Sequence, residues 1–181
     1  MKKPSTTIIF VLFSILSGGC SADCDHMQER PAGQSDVIAL ACDPIPVVRV
    51  GFIGLGMRGI GAVERFMYLD SVEVVALCDL EAENLARSQA VLREKTRPEA
   101  AEYMGPEDWK RLCERPDIDL VYISTDWLSH TPMAVYAMEQ GKHVAVEVPA
   151  AVTVEECWKL VDTAEKTRRH CMMLENCCYD F

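Results

Sequence analysis

V-V-R-V-G-F-I-G-L-G-M-R-G, residues 47–59, leads from a buried strand through a run of glycines into a helix. Its last six residues have the spacing G-x-G-x-x-G, which is typical of dinucleotide sites when it follows a strand and opens a helix. Gly54 permits the tight turn, Gly56 lets the backbone approach a diphosphate, and Gly59 lets the helix lie close to the strand. The stretch therefore predicts a β-turn-α unit that binds a dinucleotide.

An acidic residue, Asp79, directly follows the second predicted strand, 72–78. It lies about 20 residues beyond Gly59, where an acid can accept hydrogen bonds from both hydroxyls of the adenosine ribose. A carboxylate there repels a 2′-phosphate, so the sequence predicts NAD rather than NADP as the cofactor. The alternative is a glycine-rich turn in an α/β protein that binds no nucleotide.

Strand-like and helix-like segments alternate along the rest of the chain, which implies parallel strands joined by crossover helices. The expected fold class is α/β, with a doubly wound parallel sheet of the Rossmann type. Strands are predicted over 47–53, 72–78, 102–104, 119–124, 143–147 and 171–175. Helices are predicted over 57–69, 80–94, 106–113 and 132–140, with a last one following Thr153.

Capping signals set the starts of the last two helices. Thr131 precedes Pro132, which suits a capping hydroxyl and a proline at the first helical position. Thr153 and Glu156 have the spacing of a capping box. The helix behind them has apolar residues at i, i+3, i+4 and i+7, which we expect to form one buried stripe. These residues are Val154, Cys157, Trp158 and Val161.

Ligands of such sheets bind beyond the carboxyl ends of the strands, so the segments that follow later strands are candidates for the same site. Three segments qualify: 124–130, 147–149 and 175–176. Trp127 and His130 are expected to flank the nicotinamide ribose. The alternatives are loop packing for Trp127 and helix capping for His130.

Composition excludes several classes of protein. The 181 residues are 49% hydrophobic and carry a formal net charge of −10. These values suit a folded domain rather than a disordered chain. The acidic balance argues against a nucleic-acid partner, which requires a basic face. No apolar run reaches the roughly 18 residues that a membrane-spanning helix needs.

The first 20 residues resemble an export signal. Lys2 and Lys3 precede a short apolar stretch, 8–16, and small residues then lead to Cys20. Such flanks are those of a signal peptide, and Cys20 is placed as in a bacterial lipoprotein box, where it would be lipidated. The chain is thus expected to be exported, as a periplasmic protein or a membrane-anchored lipoprotein. A plain secretory signal is the alternative.

The domain boundaries follow from these signals. Residues 1–20 are expected to be the signal and 21–46 a poorly ordered tether. Residues 47–176 form the expected Rossmann domain, and 177–181 are expected to begin a second domain that the chain does not contain. A membrane contact is expected only through a lipid on Cys20.

The cysteines and histidines do not predict a metal site. Nine cysteines occur without a C-x-x-C pair, and the four histidines, at 26, 130, 143 and 170, are scattered along the sequence. Cysteines in apolar stretches are expected to be small buried hydrophobes. These are Cys78, Cys113, Cys157 and Cys171. Whether Cys24 and Cys42 form a disulfide is left open by the sequence.

Five segments together resemble one known family. They are G-F-I-G-L-G-M-R-G (51–59), V-V-A-L-C-D (74–79), S-T-D-W-L-S-H-T-P (124–132), G-K-H-V-A-V-E-V-P-A-A (141–151) and E-N-C-C-Y-D-F (175–181). The resemblance is to the Gfo/Idh/MocA family, and more closely to its branch in glycoside hydrolase family 109, the NAD-dependent α-N-acetylgalactosaminidases. It covers about residues 47–181.

The resemblance implies a set of site residues. Those matching the branch's NAD contacts are Met57, Arg58, Asp79, Trp127, Leu128, Ser129, His130, Glu147, Val148 and Asn176. Tyr179 is by resemblance a candidate catalytic base or substrate contact, with packing at a domain junction as the alternative. Dehydrogenases of the wider family have E-K-P where this chain has Glu147-Val148-Pro149, and the missing lysine favours the glycosidase branch.

The chemistry that the resemblance implies differs from that of a two-carboxylate glycosidase. The sugar is oxidised at position 3, the glycosidic oxygen leaves by elimination, water adds, and the ketone is reduced again, so that NAD returns unchanged. Alternatives are a sugar oxidoreductase with net hydride transfer and an inactive nucleotide-binding fragment. Because a second domain supplies most of the sugar pocket in this family, the isolated 181 residues are expected to have little activity.

Overall fold

Six strands and five helices alternate in the computed structural model, which describes residue 30 and residues 32–176. The strands are β1 Val48–Ile53, β2 Val72–Cys78, β3 Ala101–Tyr103, β4 Leu120–Ile123, β5 His143–Val146 and β6 Cys171–Met173. The helices are α1 Met57–Phe66, α2 Ala82–Glu94, α3 Asp108–Cys113, α4 Trp127–Glu139 and α5 Val154–Thr167. Cys20 and Tyr179 lie outside the described residues.

All six strands are parallel and form one sheet in the order β3-β2-β1-β4-β5-β6. The order reverses between β1 and β4, which is the topological switch point where doubly wound sheets bind their ligands. The predicted fold class is therefore confirmed. Each of the first five strands is followed by a crossover segment, and the carboxyl ends of all six parallel strands meet at one edge of the sheet.

Two apolar cores lie on the two faces of the sheet, because successive side chains of a strand point to opposite faces. Val50 and Phe52 of β1 are fully buried in the core beneath α1 and α2. Ile53 belongs to the other core, beneath α3, α4 and α5. The rings of Phe52 and Tyr122 stack with their centroids 5.0 Å apart. Burying each such side chain contributes roughly 1.5–3 kcal/mol.

The start of α4 differs from the sequence prediction. The helix begins at Trp127 rather than Pro132, because the carboxylate of Asp126 accepts hydrogen bonds from the first-turn amides of Leu128 and Ser129. That cap outweighs the one internal hydrogen bond that Pro132 cannot donate.

Thr131, which was expected to cap α4, lies inside the helix instead. Its hydroxyl donates to the carbonyl oxygen of Ala150 at 2.9 Å. The side chain thus ties α4 to the segment that follows β5.

Helix α5 confirms one prediction and corrects another. The capping box of Thr153 and Glu156 is present, with each side chain bonding the other residue's backbone. The predicted buried stripe is wrong, because the face that packs into the core contains Leu160 and Ala164. Of the predicted stripe, Trp158 is half-buried and three residues are exposed. These are Val154, Cys157 and Val161.

The other cysteines follow the prediction more closely. Cys78 and Cys113 are buried, and Cys171 is partly buried. Burial raises the pKa of the Cys78 and Cys113 thiols to about 12, so both remain protonated small hydrophobes. Cys157 is the exception because it lies on the outer side of α5.

Residues 32–46 contain neither helix nor strand, but side chains hold them against α5 and the turn that follows it. The guanidinium of Arg168 donates to the carbonyl oxygen of Ser35 at 2.8 Å, and the amide of Gln34 donates to Glu165 at 3.0 Å. The tether predicted over 21–46 stays a prediction for the residues outside the described part. Among the described residues, no helix is long and apolar enough to cross a membrane.

Candidate dinucleotide site

The turn after β1 is shaped by two close backbone approaches. Gly54 has a φ of +84°, and a Cβ there would meet the carbonyl oxygen of Ser124 at 2.5 Å. A Cβ at Gly59 would meet the carbonyl oxygen of Gly54 at 2.0 Å. The backbone therefore requires glycine at both positions, and the roles predicted for Gly54 and Gly59 agree with this geometry.

Gly56 differs from its neighbours because nothing lies within 4 Å of the position its Cβ would occupy. It is the N-cap of α1 and has no side-chain oxygen to offer the first-turn amides, and no acidic residue lies in that turn. In α4, by contrast, the carboxylate of Asp126 already occupies the helix N-terminus. An open glycine beside uncapped amides fits the diphosphate of a dinucleotide at α1.

Asp79 lies at the carboxyl end of β2, as predicted, and also holds the glycine turn. One carboxylate oxygen accepts the backbone N–H of Leu55 at 2.6 Å. The other accepts the backbone N–H of Glu81 at 2.8 Å and the side-chain amide of Asn84 at 3.0 Å. These contacts fix the carboxylate beside the cleft, where it can still accept further hydrogen bonds from a ribose.

A cleft of about 410 Å³ opens at the carboxyl ends of the strands. Four of the individually predicted residues line it, namely Gly54, Gly56, Asp79 and Ser129, and so do Ser124, Thr125 and Asp126 of the predicted segment 124–130. Sequence reasoning missed most of the remaining wall, which follows β2 and β3. That wall is formed by Leu80, Glu81, Asn84, Gly105, Pro106 and Trp109. Ligands of such sheets bind beyond the carboxyl ends of the strands, and the same reasoning applied to β3 would have indicated this wall, because Gly105 closely follows that strand.

We expect Asp79→Ala to weaken NAD binding by about 10- to 100-fold, since hydrogen bonds to a charged group contribute about 1.5–3 kcal/mol. The preference for NAD over NADP should narrow, because the negative charge that repels a 2′-phosphate is removed. Calorimetric titration with both dinucleotides measures the two effects. Glu83→Ala, which removes an exposed acidic side chain from α2, is the matched control. An unaltered ratio of the two affinities would contradict the ribose role.

A chain of polar contacts, buried at Tyr122 and Glu147 but exposed at Arg58, links the predicted contacts Arg58 and Glu147. Glu147 directly follows β5 and is 6% exposed. Its carboxylate accepts hydrogen bonds from the hydroxyl of Tyr122 at 2.9 Å and from the guanidinium of Arg58 at 3.2 Å. The start of α1 is thereby joined to the ends of β4 and β5. Tyr122 was not predicted, because its place inside an apolar strand is typical of core packing.

Burial, followed by the hydrogen bond to Glu147, raises the pKa of Tyr122 from its ordinary 10.0 to about 12. The unfolded chain therefore ionises this phenol at lower pH than the folded one. Stability from this source is complete below about pH 10 and is lost as pH rises toward about 12. The folded domain should weaken over that range.

We expect Tyr122→Phe to reduce the free energy of unfolding near pH 8 by about 1–3 kcal/mol, because the buried carboxylate of Glu147 loses a donor. The variant should also lose less stability than the parent between pH 10 and 12. Denaturant unfolding at several pH values tests both effects. Tyr68→Phe, which removes a phenol from a 75% exposed residue, is the control. Parallel pH profiles for parent and variant would refute the role of Tyr122.

The remaining predicted contacts lie around the cleft rather than in its wall. Met57 at the start of α1 and Trp127 and Leu128 at the start of α4 are largely exposed. Val148 is half-buried, and Asn176 is exposed. Their roles as dinucleotide contacts stay predictions.

His130 is buried between α4 and the segment that follows β5. Its Nδ1 lies 2.8 Å from the carbonyl oxygen of Pro149, so it donates there. Nε2 is buried and has no hydrogen-bond partner among the described residues. The ring therefore holds α4 against this segment through Nδ1.

Comparison with known families adds to this geometry. The model of the Gfo/Idh/MocA family, described as an oxidoreductase family with an NAD-binding Rossmann fold, matches residues 48–175. The matched region contains the glycine turn, Asp79, and every strand and helix of the described structure. The family model and the cleft thus point to the same cofactor, NAD.

Two relatives from Bacteroides fragilis are closely similar in sequence. An α-N-acetylgalactosaminidase is 63% identical over 151 residues, which are 83% of this chain and 36% of that protein. A glycosyl hydrolase family 109 protein 1 is 63% identical over 175 residues, which are 94% of this chain and 38% of that protein. The chain therefore spans little more than a third of the length of these relatives.

A solved structure supports the likeness in three dimensions. The myo-inositol dehydrogenase of Lactobacillus casei, determined with NAD(H) and myo-inositol, is 31% identical and superposes with a TM-score of 0.55. The match covers 65% of this chain and 33% of that chain.

Proposed function

We propose that this chain, which belongs to the Gfo/Idh/MocA family, is the NAD-binding part of a glycosidase. The proposed substrates are terminal α-N-acetylgalactosaminides or closely related glycosides. The observation that carries this proposal is the 63% identity to an α-N-acetylgalactosaminidase over 151 residues, or 83% of this chain. Cleavage would proceed by transient oxidation of the sugar, elimination, addition of water and reduction.

Bound NAD supplies reversible hydride transfer, which makes the proton next to the oxidised carbon acidic enough for elimination. The described residues bind and orient this cofactor. The first-turn amides of α1 hold the diphosphate beside Gly56, and Asp79 holds the adenosine ribose. Arg58 and Glu147, whose hydrogen bond joins the start of α1 to the end of β5, would position the nicotinamide half. The further contacts in this proposal are Met57, Trp127, Leu128, Ser129, His130, Val148 and Asn176, with Tyr179 as a catalytic base or substrate contact.

The sequence around Glu147 favours the glycosidase over a net oxidoreductase. The wider family's dehydrogenases use a lysine directly after this glutamate, and Val148 stands there instead. A valine has no proton to exchange with a substrate hydroxyl, so this position cannot serve that dehydrogenase chemistry.

The cofactor part of the proposal is tested by titrating the 181-residue chain with NAD and NADP. We expect saturable binding with a preference for NAD. Absence of NAD binding by a chain whose circular dichroism is that of a folded α/β domain would overturn this part.

The catalytic part is tested by exchanging the matching residues of the Bacteroides fragilis α-N-acetylgalactosaminidase for those of this chain. We expect the chimera to release aryl alcohol from an aryl α-N-acetylgalactosaminide without net formation of NADH. Accumulation of NADH with sugar would instead support a net oxidoreductase. A chimera with Asp79→Ala is the control, because it should lose activity at limiting NAD while remaining folded.

Export with lipidation of Cys20 is part of the same proposal, supported by the basic start, the apolar stretch and the small residues before Cys20. It is tested by expression in a bacterium with labelled fatty acid. We expect label in the membrane fraction for the parent chain and none for Cys20→Ser. Label retained in the variant would contradict lipidation at this residue.

A further inference from the structure

Three side chains that commonly bind metal ions meet at the edge of the sheet opposite the dinucleotide cleft. His143 is the first residue of β5, His170 directly precedes β6, and Cys42 lies in the segment before β1. One candidate ligand atom from each lies within 4.8 Å of the others. Although His143 and His170 are 27 residues apart in the sequence, their ring centroids are 4.9 Å apart in the fold. This cluster lies at the amino ends of the strands, so it is separate from the NAD site.

The hydrogen bonds of His170 define which of its nitrogens carries a lone pair. Its Nε2 lies 2.9 Å from the carbonyl oxygen of Leu40. Because a carbonyl oxygen only accepts, Nε2 carries the hydrogen of this bond. In the neutral ring, Nδ1 then presents a lone pair, and it points at Nδ1 of His143 at 3.1 Å.

His143 presents a lone pair at the same place. Its Nδ1 accepts the backbone N–H of His170 at 3.1 Å. Two lone pairs 3.1 Å apart repel each other unless a positive centre lies between or beside them. In this structure the backbone N–H of His170 faces the lone pair of His143. The remaining candidates for a positive centre between the two rings are a shared proton and a metal ion.

The geometry favours the metal ion. Nitrogens bound at about 2.05 Å to one tetrahedral zinc are about 3.3 Å apart, close to the spacing of the two Nδ1 atoms. A ligating histidine usually donates its other ring N–H to a backbone carbonyl, as His170 does to Leu40. The thiol of Cys42 adds a third ligand for a metal ion, whereas a proton shared by the two rings needs no third group.

The charges around the cluster set which ion it suits. Arg169 opposes a cation at this place, and Asp119 favours one. The thiolate of Cys42 would supply the nearest negative charge. A set of two imidazoles and one thiolate suits Zn²⁺ better than Mg²⁺ or Ca²⁺.

We propose that Cys42, His143 and His170 bind one Zn²⁺ ion, with water as the fourth ligand, as a structural site. The ion would fasten the segment 32–46 to the amino ends of β5 and β6. To bind there, the ion must displace the hydrogen bond from the backbone N–H of His170 to Nδ1 of His143, because that Nδ1 is also the proposed ligand atom. The free thiol of Cys42 is exposed, so an ion can reach it from solvent.

The test is titration of the chelator-treated, reduced 181-residue chain with Co²⁺, a spectroscopic substitute for Zn²⁺. We expect one equivalent to bind with a sulfur-to-cobalt charge-transfer band, and Zn²⁺ to displace it. Cys42→Ser should remove that band and weaken binding by at least about 10-fold, since even loss of a supporting contact costs that much. His143→Gln and His170→Gln should weaken binding similarly.

Cys157→Ser removes another exposed thiol and is the matched control, expected to bind as the parent does. The proposal is overturned if the parent binds no Co²⁺, or if Cys42→Ser retains the band and the affinity of the parent. NAD titration of the same samples keeps the two sites distinct. We expect Cys42→Ser to bind NAD as the parent does, and this also establishes that the variant is folded.

Discussion

Gly56→Val is expected to abolish NAD binding and leave the domain folded. Nothing lies within 4 Å of the new Cβ, and the φ of −63° at Gly56 is accessible to any residue. The valine side chain would, however, stand where the diphosphate must approach the first-turn amides of α1. Affinity should fall by at least about 100-fold, because close contact with those amides and with the positive end of the helix is lost together.

Calorimetry with NAD measures the loss, and thermal unfolding without NAD measures the fold. The control is Gly61→Ala in the same helix, where the new Cβ would make an ordinary contact of 3.4 Å with the flexible side chain of Arg65. This control should bind NAD as the parent does. If Gly56→Val bound NAD normally, the diphosphate could not lie on α1.

Gly59→Ala is expected to destabilise the fold itself, whereas Gly56→Val is expected to affect only NAD binding. The added Cβ would lie 2.0 Å from the carbonyl oxygen of Gly54 and 2.8 Å from Oγ of Ser124. Gly54 is itself held in its turn, because its carbonyl oxygen accepts the hydroxyl of Ser124 and its N–H donates to the carbonyl oxygen of Cys78. Helix α1 must therefore move away from the sheet. We expect the free energy of unfolding to fall by about 3 kcal/mol or more, at the upper end of overpacking effects.

Denaturant unfolding of the chain without cofactor measures this effect. Gly61→Ala is again the control and should stabilise the domain slightly, by about 0.5–1 kcal/mol, because alanine is the better helix former. A Gly59→Ala variant as stable as the parent would refute the close approach of α1 to the glycine turn.

Local patterns predicted most of the fold correctly. The bounds of β2 were predicted without error, because a run of apolar and β-branched residues is closed at each end by polar ones. The capping box of Thr153 and Glu156 was also read correctly from its spacing. Such signals depend only on neighbours in sequence, which is why they need no knowledge of the tertiary structure.

Most of the errors share one cause, which is contact between distant parts of the chain. The start of α4 is an exception, because the cap by Asp126 is local. The periodic stripe on α5 indicated an apolar face, but only the position of α4 decides that Leu160 and Ala164 pack inward. Likewise, Tyr122 reaches Glu147 through the pairing of β4 with β5. The contact between His143 and His170 arises from the pairing of β5 with β6, and no local motif predicts it.

In the candidate site, the glycine turn and Asp79 were predictable because their spacing along one β-α-β unit is fixed by the fold. The wall formed by Gly105, Pro106 and Trp109 follows β3, which is only three residues long and leaves a weaker pattern from which to infer a site.

Asp79 supports the glycine turn and is also the predicted ribose contact, and this combination limits how the cofactor preference of the domain can evolve or be engineered. Its carboxylate is the acceptor for the backbone N–H of Leu55, inside the glycine turn. A single exchange for a small or basic residue would admit a phosphorylated ribose but leave that amide without its acceptor. A change of preference that preserves affinity therefore requires at least two substitutions, one of which restores an acceptor for Leu55.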